Sequence, residues 1–117
     1  MPKESLINIK VNLDDEKMPE QLHWQATDSS QPDWQQCKAM MLSLWDGAER
    51  TALRIDLWTR KMMVDEMNDF FFQTFMTMAD TYKRATGQEE IVQNIRRFAH
   101  DFRKTADDAM AAAEEQK

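Results

Sequence analysis

One cysteine, two glycines and three prolines in 117 residues leave little room for several familiar chemistries. A lone thiol, Cys37, forms no internal disulfide and supplies no thiolate cluster for zinc or iron–sulfur. Gly47 and Gly87 lie far apart, so no glycine-rich loop is present to cradle a phosphate. No stretch approaches the roughly 20 apolar residues that cross a bilayer, so membrane insertion is not expected. The opening MPKES lacks the apolar segment of a secretory signal, which makes the cytoplasm the expected address. Basic residues are the minority, 15 against 21 acidic ones, and the net charge of −6 opposes a nucleic-acid partner.

What is present is enough for one soluble domain with a core of its own. Residues 6–13 alternate, with Ile7, Ile9, Val11 and Leu13 on one side and Asn8, Lys10 and Asn12 on the other, which reads as a half-buried antiparallel strand. After a charged turn at 14–17, a second strand is expected over about 21–27, with Leu22, Trp24 and Ala26 inward. A polar loop at 28–33 leads to a third strand over about 36–45 and a fourth over about 51–59. Pairing Trp45 with Ala52 sets Leu44 against Leu53, Leu42 against Ile55 and Met40 against Leu57, aligning one aliphatic face. The other face carries Ala39, Met41, Trp45 and Trp58, diluted by Ser43, Arg54 and Asp56.

Periodicity then changes. Met67, Phe71, Phe75, Met78 and Tyr82 recur at steps of four and three, the stripe of an amphipathic helix, with Asp65 as its expected N-cap and Gly87 as its stop. A second helix is expected from Glu89, carried by Ile91, Ile95, Phe98 and Phe102. Strands first and helices last predict an α+β fold, a four-stranded antiparallel sheet followed by two C-terminal helices packed on one face. The helices should cover the Ile7, Trp24, Leu42 and Ile55 side. Residues 1–106 are expected to form a single α+β domain, and the Ala/Glu-rich 107–117 a helical or frayed tail.

No catalytic constellation emerges. His23 is expected to face solvent, and His100 has Arg96 and Lys104 at the spacings where a metal pair would need carboxylates. Asp14, Asp15 and Glu16 lack the alternating oxygen ligands and central glycine of a calcium loop. The expectation is therefore no enzyme, no metal and no cofactor. Ten methionines and four tryptophans are the stronger clue, since thioethers and indoles suit protein interfaces. The candidate protein-binding residues are Met41, Trp45 and Trp58 on the sheet and Phe70 on the first helix. Their expected occupant is a protein partner or a second copy, and a homo-oligomer is anticipated.

The segments IKVNLDDEKMPEQLHWQATD, KAMMLSLWD, LRIDLWT, VDEM and MADTYKRATG, spread over about 7–87, resemble the GldC family of gliding-motility-associated proteins of Bacteroidota. The resemblance implies an accessory role beside the gliding and secretion machinery, and it brings no catalytic residues. The order of strands and helices is also similar to that of the SecB export chaperone, which implies an alternative function as a holdase for unfolded export clients. That likeness is one of element order alone, and fold does not fix function.

Overall fold

The computed structural model describes residues 3–30 and 32–116. Gln31 of the expected polar loop, Lys117 of the expected tail, and Met1 and Pro2 lie outside the described residues. The chain divides into two compact units, residues 1–62 and 63–117.

Among the described residues the first unit holds five strands: β1 (Ile7–Leu13), β2 (Pro19–Ala26), β3 (Gln35–Cys37), β4 (Ala39–Asp46) and β5 (Thr51–Trp58). They form two antiparallel sheets, β1-β2-β3 and β4-β5, and not one sheet of four strands. The expected third strand is interrupted at Lys38, where the chain bends and leaves one sheet for the other. Thr59 anchors that corner. Its backbone N–H and its hydroxyl donate to the Lys38 carbonyl at 2.9 and 3.1 Å, and Thr59 is nearly fully buried. A threonine whose polar groups are satisfied this way can be buried at little cost.

The alternation in β1 and β2 is realised as read. Ile7 faces Ala26, Ile9 faces Trp24 and Val11 faces Leu22, while Asn8 and Gln25 pair on the other side through a 3.1 Å hydrogen bond. The register slips at Asn12–Leu13, where Pro19 enters; a proline is tolerated at the first position of a strand because no ladder bond is needed from it there. The turn is an Asx-type structure in which the Asp14 carboxylate accepts the Glu16 and Met18 N–H groups at 2.8 and 3.0 Å. Those bonds, the Met18 one foremost, hold the Asp14 carboxyl below its usual range. Partial burial opposes them, and Arg60 at 3.5 Å adds to the depression.

Leu22 is the fully buried side chain of this unit. Of the other residues expected on the inward face, Ile7 is 76% and Ile55 50% exposed, Trp24 is exposed as well, and Leu42 is half-buried. Period two identifies a face that could be buried. It does not supply the cover.

The second unit is an antiparallel pair of helices, α1 (Val64–Thr86) and α2 (Glu89–Glu115). The N-cap of α1 is Met63, not Asp65, which sits inside the first turn with Glu66. Glu66 reaches back to accept the Met63 N–H at 3.3 Å, and the two acids lie where the helix dipole favours negative charge. Gly87 closes α1 in the left-handed region, φ 68°, donating its N–H to the Lys83 carbonyl at 2.9 Å. The helices meet at small or branched side chains, Ala79, Val92 and Ala99, all fully buried. Ion pairs flank that seam: Arg96 to Asp80 at 2.9 Å and Arg103 to Asp69 at 2.7 Å.

Candidate protein-docking site

The β4–β5 hairpin is built by its turn. The Asp46 carboxylate accepts the Ala48 and Glu49 N–H groups at 2.9 and 3.2 Å, and the Asp46 carbonyl accepts the Arg50 N–H at 2.8 Å. The left-handed residue that closes the turn is Arg50, φ 55°, and not Gly47. The resulting register is the expected one throughout, from Asp46 opposite Thr51 to Ala39 opposite Trp58.

Two faces follow from that register. On one, Trp45 stands beside Ala52 near the turn, and Trp58 beside Ala39 at the open end. Both indoles are largely exposed, at 63% and 56%. Six residues of β4 separate the two ends, about 20 Å at the usual rise of ~3.3 Å per residue, so the tryptophans do not share one small pocket. Between them lie Met41 opposite Asp56 and Ser43 opposite Arg54. Arg54 grips Asp56 through two bonds, at 2.9 and 3.2 Å, and the Arg50 guanidinium lies 6.0 Å from the centre of the Trp45 ring. The surface is amphipathic: two indole anchors bracket an internally neutralised ion pair.

The second face is wholly aliphatic. Met40, Leu42 and Leu44 stand opposite Leu57, Ile55 and Leu53. Met40, Leu42 and Leu57 are half-buried, while Leu44, Leu53 and Ile55, nearer the turn, are exposed. Sequence reasoning placed this face in the core. Nothing in the alternation could have warned otherwise, because a strand writes the same pattern whether or not a cover is supplied.

Of the four residues singled out, Met41, Trp45 and Trp58 share one face of the hairpin; Met41 is half-buried. Phe70 belongs to the helical unit, where it is half-buried and its carbonyl accepts the Thr74 hydroxyl at 2.7 Å. Trp24 and Trp34 are both exposed, and the Lys10 ammonium sits 4.5 Å above the Trp34 ring.

The polar candidates differ in their surroundings. His23 is half-buried, its Nδ1 without a hydrogen-bond partner. His100 is exposed and meets Phe72 edge-on at 5.5 Å. Burial pushes the Cys37 thiol up, away from the thiolate that reactivity requires. Asp14 and Glu16 are engaged by Arg60 at 3.5 and 2.9 Å. Among the described residues, no three of His, Cys, Asp and Glu cluster as a metal site would need, and no helix is long and apolar enough to cross a membrane.

Fold and surface together define a small α+β protein whose most distinctive feature is an apolar two-stranded hairpin. Residues 19–108 match the profile described as gliding motility-associated protein GldC-like, and with that span the chain belongs to the GldC-like family. No curated protein and no solved structure matches it.

Proposed function

We propose that the chain is a non-enzymatic accessory factor of the gliding-motility and secretion machinery, acting in the cytoplasm by docking a protein partner on the β4–β5 hairpin. The observation that supports this reading is the double exposure of that hairpin, with Trp45 and Trp58 on one face and Leu44, Leu53 and Ile55 on the other. A two-stranded ribbon is marginally stable in water by itself, and exposed apolar side chains on both faces are what a partner would cover. Each strand also keeps one edge free of strand pairing among the described residues, so an extended peptide could add to it by main-chain bonds. Indoles act as anchors at such surfaces, with Met41 as an adaptable neighbour.

A photo-crosslinking residue at Trp58, introduced in the native host, should trap a motility or secretion component. The same residue at Lys104, on the exposed side of α2, should not. A crosslinking pattern equal at the two positions would refute the docking role. Iodide quenching offers a second readout: bound partner should protect Trp45 and Trp58.

The aliphatic face supports one competing reading, a SecB-like holdase for unfolded export clients, because it carries shape without polar specificity. That reading expects stoichiometric suppression of aggregation for unrelated unfolded substrates, lost on Leu53→Glu. A partner-specific factor should fail to suppress it.

A further inference from the structure

The helical unit carries an apolar face of its own, on the side of the pair away from its ion pairs. Phe71 and Phe75 of α1 meet Phe98 and Phe102 of α2 there. Ring centroids lie 5.3 Å apart for Phe75–Phe98 and for Phe75–Phe102, and 6.3 Å for Phe71–Phe102. The same helical stripes place Met78 beside Phe75 on α1 and Ile91 below Phe98 on α2. This cluster is not sealed: Phe98 is 56% and Met78 52% exposed, and Ile91 is exposed too. The buried seam of Ala79, Val92 and Ala99 lies to one side of it.

We infer that this face is the interface between two copies of the chain, which pair their helical hairpins into a four-helix bundle. Three observations commit it to a second copy. First, size: α1 has 23 residues, about 35 Å at ~1.5 Å per residue, and two helices abreast are about 20 Å wide. The face therefore offers roughly 700 Å², close to the ~800 Å² per partner of a standard interface. Second, charge: each copy carries −6, yet positions 67, 71, 74, 75, 78, 82 and 85 of α1 and 91, 94, 95, 98, 102, 105 and 109 of α2 hold no charged residue. Two copies can meet there without opposing like charges, while Asp69, Asp80, Arg96 and Arg103 neutralise one another on the far side. Third, symmetry: Phe75 is the midpoint of α1 and Phe98 lies against it, so the most exposed ring sits at the centre of the face. A two-fold axis there brings Phe98 of each copy to the same central place, where binding energy concentrates. Four-helix packing then buries the open stripe as it buries any bundle core.

The inference concerns the helical unit alone and stands independently of the proposed docking role. Sedimentation velocity of the full chain across a range of concentrations tests it, with a dimer in the micromolar range expected. Phe98→Glu and Met78→Glu should each raise the dimer dissociation constant at least roughly 30-fold, the loss expected when a central anchor is replaced. Helix content by circular dichroism should stay unchanged, because both positions are exposed. Trp58→Ser on the hairpin and Lys104→Gln on the exposed side of α2 should leave the dimer intact. A chain that stays monomeric at the highest concentrations overturns the inference. So does a dimer that survives both glutamate substitutions, since association would then run through another surface.

Discussion

The Phe75–Phe98 pair permits a quantitative test of how the helical unit is held together. A fully buried phenylalanine costs about 3–5 kcal/mol when cut to alanine. Neither ring is in that class. In the single chain Phe98 keeps 56% of its surface exposed and touches one ring, so at concentrations where the chain is monomeric Phe98→Ala should cost about 1.5–2 kcal/mol, half of the buried value. Phe75 is half-buried and contacts Phe71, Phe98 and Phe102, so Phe75→Ala should cost more, about 2–3 kcal/mol. The edge-to-face geometry, 5.3 Å between centroids and 77° between planes, is the favourable one for the ring quadrupoles. The double variant should therefore lose about 0.5–1.5 kcal/mol less than its parents combined. Urea unfolding of wild type, both single variants and the double variant measures this coupling. Running the cycle at two protein concentrations separates it from linkage to self-association. A coupling below about 0.3 kcal/mol, within ordinary additivity, would refute the ring contact. A Phe98→Ala cost above about 3 kcal/mol would show that the ring is buried in solution.

Other outcomes follow from single features. Ala79→Leu adds three carbons at a fully buried position and should destabilise by about 1–3 kcal/mol in urea unfolding. Left-handed backbone predicts a pair of opposite signs: Gly87→Ala at φ 68° should cost about 1 kcal/mol, while Lys17→Gly at φ 64° should gain about 0.5–1 kcal/mol, both read from thermal or urea midpoints. The depressed Asp14 carboxyl stabilises the fold above its unfolded pKa and loses that contribution as pH falls through the lower folded value. Relative to wild type, Asp14→Asn should thus be weaker at neutral pH, and the gap should close below about pH 4 in midpoints measured against pH. Glu89, depressed by the Gln93 amide at 2.9 Å and by Lys83, should shift stability with pH in the same direction. We propose that residues beyond Ala106, helical up to Glu115, exchange amide hydrogens faster than 64–105; equal protection in both stretches would count against a separable tail.

Local order was legible where a single chain segment decides it. The hairpin register could be read because six aliphatic residues satisfy one pairing and no neighbouring one, and a slip by one would turn all of them over. The end of α1 was readable because only glycine adopts φ 68° cheaply. Its start was misplaced by two residues. Asp65 looked like a cap in sequence, but Glu66 closes the first turn from inside by taking the Met63 N–H. In the hairpin turn the left-handed residue is Arg50, φ 55°, whose N–H donates to the Asp46 carbonyl.

Sequence alone determined which residues could share a face, because side-chain direction follows from periods of 2 and 3.6 and from nothing further away. Four strands' worth of alternation, two amphipathic helices and the family kinship were all readable at that level. Only the tertiary structure decided where strands change sheet and which apolar faces stay open. The bend at Lys38 depends on Thr59, 21 residues away, and the exposure of Trp45, Leu53 and Phe98 depends on what does not pack over them. Burial is a relation between distant segments, and no pattern internal to one segment encodes it.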